Sequence, residues 1–297
     1  MKAMTNKLRT LTPIALVTVA LLGADLVAPS KAAAQEVQIT GPLAGQPAVR
    51  RMRLYREMRI MLEPEFTFTL QDEYARTLFA GLHAGFYFTD WLGIGVWGAY
   101  GVANLNTNLT DEVLDKGVTD ERSRLSFPTR EGFDSQIATM TWAAAAQIEF
   151  IPLRGKLAIF EKLFVDTDFF IFVGAGVVGI EERSNTTRAD LAPCEGLSGA
   201  ARTDCFMEIQ TRRSSRVAVG PTFGAGINLY FNGIVGLSLS WRGLPFSWNT
   251  SGFDNSGDPR GDFPDGAIDE NDRSFKLNHM FNVGITIYLP TDPAITD

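Results

Sequence analysis

The chain has no long apolar run after its first 34 residues, and no later segment contains 18 consecutive apolar residues. A membrane-spanning helix needs about 20 such residues, so the remainder of the chain is not a helical membrane protein. Cysteine and histidine are scarce, at two each among 297 residues. A structural zinc site takes four ligands, and the two histidines lie far in sequence from the two cysteines. We therefore expect no metal site and no cofactor.

Positive charge is also in short supply. The formal net charge is −7 and the pI is about 5.0. Beyond the first 34 residues, basic side chains cluster only at 50–59. Nucleic-acid-binding domains carry a basic face, so nucleic acid is not an expected partner.

The first 34 residues combine Lys2, Lys7 and Arg9 with an apolar run at 13–24 and small residues at 32–34. This order is typical of a secretory signal peptide, here 1–34. An uncleaved anchor helix is the alternative, but the run is shorter than a bilayer span requires. In an exported chain two nearby cysteines form a disulfide more often than a metal site, so we predict a bond between Cys194 and Cys205.

The following residues alternate between apolar and polar positions in eight segments, as β-strands do. The joints at 89–91 and 232–233 are tight, whereas those at 104–134, 182–213 and 250–272 are long and polar. Short turns at one end and long loops at the other are typical of outer-membrane barrels. The segments lie at about 58–71, 76–89, 91–103, 135–152, 163–181, 214–231, 233–249 and 273–289.

We therefore predict an all-β protein, a transmembrane antiparallel up-and-down β-barrel of eight strands over 58–290, in the bacterial outer membrane. A periplasmic segment at 35–57 precedes it and a C-terminal tail at 291–297 follows. In the last segment Phe281 and Ile285 fall on an apolar face and Asn282 on a polar one. In the fourth segment the same alternation places Met140 and Trp142 together on the apolar, lipid-facing side. Aromatic residues at both ends of the apolar faces indicate two membrane girdles. A soluble lipocalin-like barrel is the alternative.

The stretch "GAGVVG" at 174–179 has the spacing of a dinucleotide-binding loop. That function requires a helix directly after the last glycine. Residues 181–196 show no helical spacing of apolar side chains, so we interpret the glycines as inward positions of a strand. A small barrel has little interior space, and glycine leaves room for Phe79, Trp97 or Phe172 from other strands.

Charged residues also fall on the inward positions. We interpret them as a paired polar filling of the lumen, because buried charges persist only when they are paired. A proton or cation path is the alternative. The predicted lumen charge network comprises Glu63, Glu65, Glu149, Asp166, Asp168, Arg242 and Lys276.

The predicted function is that of a non-enzymatic surface protein with a plugged lumen and long loops for surface or envelope contacts; the alternative is a narrow pore for ions or small solutes. No motif ties a serine to His83 or His279, so an acyl hydrolase is not indicated. The carboxylates at 250–272 miss the spacing of a calcium loop, and a solvated acidic loop is the favoured interpretation. Expected partners are outer-membrane lipid, lipopolysaccharide and the barrel-assembly machinery, and the partner of the loops is not specified.

Several phrases resemble the outer-membrane β-barrel domain family typical of myxobacteria and related bacteria. They are "AVRRMRLYREMRIMLEPEFTFTL", "FTDWLGIGVWGAYG", "PLRGKLAIFEKLFVDTDFFIFVGAGVV" and "HMFNVGITIYLP". The resemblance implies an integral outer-membrane protein and no particular activity. The last strand also resembles the signal read by the barrel-assembly machinery, although "PTDPAITD" follows it in place of a terminal aromatic residue.

Overall fold

The computed structural model describes residues 56–117, 132–159, 163–257 and 265–290, with backbone alone at 156–159 and 163–164. The predicted signal peptide, residues 35–55 of the predicted periplasmic segment and the predicted tail lie outside these ranges. No helix within them is both long and apolar enough to cross a membrane.

Eight long strands form a closed barrel in which each strand pairs antiparallel with its neighbours. The order around the barrel follows the chain, and the last strand closes on the first through pairs such as Phe66 with Val283. This confirms the predicted fold class. The strands are β1 (Arg59–Leu70), β2 (Ala75–Tyr87), β3 (Leu92–Asn106), β4 (Thr139–Ile159), β5 (Leu163–Arg183), β7 (Arg213–Tyr230), β8 (Val235–Trp248) and β10 (Ser274–Leu289).

The strands turn tightly at one end of the barrel, at 88–91 and 231–234, and carry long connections at the other. We call these the periplasmic and extracellular ends, as in outer-membrane barrels. The β1–β2 connection is a short turn at the extracellular end, at 71–74. The N-terminal end of β1 and the C-terminal end of β10 both lie at the periplasmic end.

Alternation along each strand separates the lumen from the outer surface, as the period of two requires. On β1, Glu65 and Thr67 are buried while Phe66 and Phe68 are exposed. The exposed apolar side chains continue around the barrel, for example at Val96, Val173, Val219 and Ile285. An apolar outer surface is what a bilayer core demands of a spanning barrel.

Aromatic side chains edge this apolar surface at both ends. Trp91 and Phe150 contact each other near the periplasmic turns, with ring centroids 5.8 Å apart. Tyr100 lies opposite Trp142 eight residues up the strands. At a rise of about 3.4 Å and a tilt of about 40°, that separation covers roughly 20 Å of membrane normal, close to the height of an outer-membrane apolar band.

The predicted orientation of Met140 on β4 is wrong. The sequence pattern placed Met140 on the lipid side with Trp142, but Met140 is buried in the lumen at 1% exposure. The register of β4 on β5 shifts between these two residues. A β-bulge adds a residue to one strand and so exchanges the two faces, which a strict period of two cannot anticipate.

The extracellular connections contain structure of their own. Their described parts contain four helices, α1 (Asn108–Lys116), α2 (Phe133–Gln136), α3 (Arg188–Glu195) and α4 (Gly199–Gln210), with a 3-10 turn at Glu270–Asp272. Two short strands, β6 (Thr186–Thr187) and β9 (Ala267–Ile268), pair with each other and join the second long connection to the third.

The expectation that 181–196 has no helix is therefore wrong for 188–195. A capping box starts α3, with Thr187 as the N-cap residue and Asp190 returning a carboxylate to its backbone N–H. The two hydrogen bonds from Thr187 lower the pKa of Asp190. The dinucleotide motif still fails, because Gly174 and Gly179 lie inside β5, which continues to Arg183 before any helix begins.

Candidate functional site

The lumen is filled in three layers. Apolar side chains form an extracellular seal, ionisable side chains form a central polar layer, and aromatic side chains form a periplasmic seal. The extracellular seal contains Phe79, Trp97, Met140, Leu244, Phe246 and Met280. The central polar layer contains Glu63, Glu65, His83, Gln147, Glu149 and Arg242. The periplasmic seal contains Met61, Tyr87, Phe170, Phe172, Tyr230 and Tyr288.

His83 organises one half of the central polar layer. Its Nε2 lies 2.6 Å from Glu149 Oε1 and its Nδ1 lies 3.4 Å from Glu63 Oε2. Glu149 also accepts a hydrogen bond of 2.7 Å from the Tyr87 hydroxyl and one of 2.9 Å from Gln147 Nε2. The carboxylate is therefore paired and hydrogen-bonded at once, the condition under which a buried charge is tolerated.

Arg242 organises the other half. Its guanidinium lies between two aromatic rings, 4.2 Å from the centroid of Trp97 and 4.4 Å from that of Phe172. Its Nη1 donates to Thr222 Oγ1 at 3.1 Å. Glu65 accepts hydrogen bonds from Trp97 Nε1 and Thr67 Oγ1. Cation–π contacts thus supplement electrostatic attraction in this half of the layer.

The periplasmic seal contains a charged residue that the sequence did not indicate. Arg56 precedes β1, yet its guanidinium is buried and ion-paired with Asp168. It lies 5.2 Å from the ring centroid of Tyr87, 5.4 Å from that of Tyr230 and 5.6 Å from that of Tyr288. Arg56 belongs to the basic run at 50–59, which was the available signal, but its contacts come from four strands, β2, β5, β7 and β10.

Five of the predicted network residues meet in the lumen layers, namely Glu63, Glu65, Glu149, Asp168 and Arg242. Asp166 is half-buried, one inward step closer to the periplasm than Asp168. Lys276 is not part of the network. It lies at the extracellular rim, where Nζ is 2.8 Å from Glu73 Oε2, because β10 rises well above the polar layer.

Inward glycines make space for these side chains, as the sequence predicted. A Cβ on Gly224 would lie 2.4 Å from Phe172 Cζ, and one on Gly95 would lie 2.5 Å from His83 Nε2. At the outward Gly98 nothing lies within 4 Å of such a Cβ. The glycines therefore shape the interior, whereas backbone freedom is not what these positions require.

Above the barrel, the long connections pack into a single extracellular crown, formed by 107–117, 132–138, 184–212, 249–257 and 265–273. Cys194 and Cys205 are disulfide-bonded beneath a small apolar core of Leu191, Phe206 and Ile268. Ile268 comes from β9, so this core joins two connections that are distant in sequence.

Ion pairs and ring contacts fix the crown to the barrel mouth. The buried Glu182 carboxylate accepts from Arg216 Nε at 2.6 Å and from Arg273 Nε at 2.8 Å. Phe133 stacks on Phe253, with centroids 5.6 Å apart. Gln136 Nε2 donates to the Ser251 carbonyl at 3.0 Å. The first and third long connections thus contact each other at the extracellular end.

The acidic connection uses its carboxylates internally. Asp272 Oδ1 accepts from the backbone N–H groups of Asn255 and Ser256, and Asp254 Oδ2 accepts from that of Gly266. Burial raises the pKa of Asp254, and the carboxylates of Asp272 and Asp265 add to this effect. Asp258 and the Arg260-Gly261-Asp262 tripeptide lie outside the described residues. Within the described ranges, no Asp, Glu, His or Cys side chains converge into a group able to hold a metal ion.

The two histidines lie in different surroundings. His83 is buried at 5% exposure between two carboxylates. His279 lies on the outer face, where its Nδ1 accepts from Trp241 Nε1 at 3.2 Å. The described side-chain contacts of both imidazoles involve carboxylates, an amide or an indole, and none involves a serine hydroxyl.

No family model and no curated protein matches the chain. Among solved structures, the N-terminal β-barrel domain of Pseudomonas aeruginosa OprF is similar over 78% of this chain and 98% of that one, at 8% identity and a TM-score of 0.39. The outer membrane protein OprG of the same organism is similar over 80% of this chain and 99% of that one, at 9% identity and a TM-score of 0.38. Ail, the attachment invasion locus protein of Yersinia pestis, is similar over 78% of this chain and 99% of that one, at 9% identity and a TM-score of 0.33.

At these identities and TM-scores the likeness says nothing about activity, and it does not establish the myxobacterial family. The location follows from the molecule itself. A closed barrel has no unpaired edge, and this one presents an apolar outer band between aromatic borders. Only such barrels and helices satisfy all backbone groups within a bilayer. The chain is a small eight-stranded β-barrel of the bacterial outer membrane.

Proposed function

We propose that this barrel is a non-enzymatic, non-conducting outer-membrane protein whose extracellular crown makes its functional contacts, with lipopolysaccharide, envelope partners or other cells. The observation that carries the proposal is the three-layer filling of the lumen. Each layer contains large buried side chains, from Phe79 and Trp97 at 0% exposure to Tyr288 at 0%. An eight-stranded barrel encloses little more than its own side chains.

The central polar layer is the feature that favours the alternative, a narrow pore for ions or small solutes. Its charged groups nevertheless have partners within the lumen. His83 contacts the carboxylates of Glu149 and Glu63, and the guanidinium of Arg242 lies over two aromatic rings. An ion entering it would have to displace these contacts and also pass an apolar seal. The layer supports a role in holding the strands together.

The crown supports the second half of the proposal. Its helices, disulfide and β6–β9 pairing exceed what is needed to connect adjacent strands, and connections of this length are usually functional or disordered. The described parts are ordered by a small core and by paired charges. A folded surface at the extracellular end is suited to recognition by contact.

Planar-bilayer recording tests the first half. We expect no steady conductance from the wild-type protein or from Glu63→Ala, Glu65→Ala and Arg242→Ala variants that still fold. Lys276→Ala is the matched control, because it removes a charge from an inward position of β10 that lies outside the three lumen layers. Steady conductance that rises in the three lumen variants and not in the control would establish the pore instead.

Replacing residues 250–272 by a short linker tests the second half. The measurements are binding to vesicles that contain lipopolysaccharide and adhesion of expressing cells. Folding of the barrel is checked independently by the heat-dependent shift of its gel mobility. Loss of binding or adhesion with an intact barrel is the expected result, and full retention of both would refute a role for this part of the crown.

A further inference from the structure

One wall of the lumen carries buried polar atoms that have no hydrogen-bond partner among the described residues. They lie on the inward positions of β7, β8 and β10, at the level between Arg242 and the periplasmic seal. The side chains concerned are between 0% and 4% exposed. The unpartnered atoms are Asn228 Oδ1, Ser238 Oγ, Asn282 Oδ1, Thr286 Oγ1 and the neighbouring Arg242 Nε.

The strand register brings these atoms together. Ser238 lies directly opposite Asn228 on one side and Gly284 on the other. Asn282 and Thr286 flank Gly284 on the same face of β10, so both are diagonal neighbours of Ser238. Diagonal neighbours have Cα atoms roughly 7 to 8 Å apart. The four oxygens therefore form a polar row around Ser238, which extends over about 13 Å along β10 at about 3.3 Å per residue.

Glycine leaves space along this wall, whereas Glu63, Glu65, His83, Gln147 and Glu149 of the central polar layer come from β1, β2 and β4. Gly226, Gly236 and Gly284 alternate with the polar residues on the three strands. A Cβ on Gly284 would lie 2.6 Å from Glu63 Oε1, so this carboxylate reaches from the neighbouring β1 to the wall. The cluster thus faces the charged layer.

The mixture of atom types selects the ligand. The two hydroxyls and Arg242 Nε must donate, whereas the two amide oxygens can only accept. A metal cation would leave the donors unsatisfied and would lie beside the arginine. An anion would be repelled by Glu63 and Glu65 and could not donate to the amide oxygens. Water both donates and accepts, and an empty site would cost about 1–3 kcal/mol for each unsatisfied group.

We propose that this wall binds a cluster of internal water molecules, enclosed between the extracellular and periplasmic seals. Five unpartnered atoms and about three hydrogen bonds per buried water correspond to about two molecules. Leu244, Phe79 and Met280 close the chamber above, and Tyr230, Tyr288 and Arg56 close it below. The chamber is hydrated without being open, so the inference is independent of the proposed role of the crown.

The test combines magnetic resonance with one nearly isosteric substitution, on the full-length protein in lipid nanodiscs. We expect water-to-protein magnetisation transfer at the side-chain amides of Asn228 and Asn282. We also expect Thr286→Val to lower the urea midpoint of unfolding and to abolish part of this transfer. Thr67→Val is the control for a satisfied hydroxyl, since Thr67 Oγ1 donates to Glu65 Oε1 at 2.9 Å.

If no water binds to this wall, the urea midpoint of Thr286→Val shifts in the opposite direction. With no water present, Thr286→Val would remove an unsatisfied buried hydroxyl and raise the urea midpoint, and the amides would show no transfer; that result overturns the proposal. A midpoint that depends on the sodium or calcium concentration would overturn it in favour of a cation. If Thr286→Val fails to fold, Ser238→Ala and the wild-type resonances decide the same question. Because the readout is hydration, a failure here is distinguishable from a conducting lumen.

Discussion

The lumen and the extracellular crown both bury charges, but they hold them by different means. In the lumen, Glu63, His83 and Glu149 come from three strands whose register fixes their separation. At the base of the crown, Glu182 at the end of β5 binds Arg216 of β7 and Arg273 of the last connection. The crown itself is held by a disulfide and by side-chain hydrogen bonds to the backbone. The lumen is therefore rigid through its strands, whereas the crown depends on side-chain contacts and on ion pairs with the strand ends.

The largest difference should appear when a buried partner is removed from the lumen. Glu149→Ala leaves His83, Gln147 and the Tyr87 hydroxyl without their acceptor. We expect the free energy of unfolding to fall by about 3–5 kcal/mol, the usual cost of breaking a buried pair from one side. Urea unfolding in lipid vesicles, followed by tryptophan fluorescence, measures it.

Glu112→Ala is the matched control in the crown, since Glu112 pairs with Lys116 at 3.3 Å on an exposed helix face. An exposed pair of this kind contributes about 0.5 kcal/mol or less. Equal losses in the two variants would remove the distinction drawn between lumen and crown.

The disulfide should matter to the crown alone. Cys194 and Cys205 are 11 positions apart, and in the chain-entropy model a ring of this size constrains the unfolded state by about 3 kcal/mol. The Cys194→Ser, Cys205→Ser double variant should become sensitive to proteolysis within 188–210 and keep the wild-type urea midpoint of the barrel. The native protein should show no free thiol on labelling, and two reactive thiols would contradict the bond.

Glycine positions sharpen the comparison between the inner and outer faces. A Cβ on Gly224 would lie 2.2 Å from the Trp241 carbonyl and 2.4 Å from Phe172 Cζ. We expect Gly224→Ala to destabilise the barrel by about 1–3 kcal/mol through overpacking. Gly98→Ala, with open space at its Cβ, should change the stability by no more than about 0.5 kcal/mol. A larger effect at Gly98 than at Gly224 would reverse the assignment of the faces.

The smallest expected effect is a pH dependence at the extracellular rim. Burial raises the pKa of Asp72, in the β1–β2 turn, to about 6, above the usual value for aspartate. The folded state therefore favours the protonated form, and its stability falls as the pH rises from about 4 through 6. Asp72→Asn should lose this step, for which a shift of about two pKa units sets an upper limit of about 3 kcal/mol that solvent screening at the rim reduces. A carboxyl resonance titrating near 4 would refute the shift.

The sequence predicted the barrel well because one physical constraint dominates it. Each strand must present apolar side chains to lipid, so a period of two is enforced across residues such as Phe66, Phe68 and Ile285. The pattern also located the inward glycines and most of the charged residues. It failed at Met140, where a bulge changes the face without any change in composition.

The partners within the site were less accessible to prediction. Arg56 lies outside the strands, so no alternation rule assigns it to the lumen, and its ion pair with Asp168 joins residues 112 positions apart. Lys276 has inward parity, but its height above the polar layer depends on the stagger of β10. The crown helices are short, and their local signals, the N-cap Thr107 and the capping box at Thr187 and Asp190, mark where a helix begins but not what it packs against.

Thiol accessibility inside the lumen tests the filled-barrel account most directly. Both native cysteines are bonded, so a Ser240→Cys substitution, at a position 6% exposed, would supply the only free thiol. Ser215→Cys, on the outward face near the extracellular end, is the exposed control. The account predicts rapid reaction of the control with a small charged thiol reagent, and reaction at position 240 only after unfolding in urea. Comparable rates in the two folded variants would show that the lumen is open.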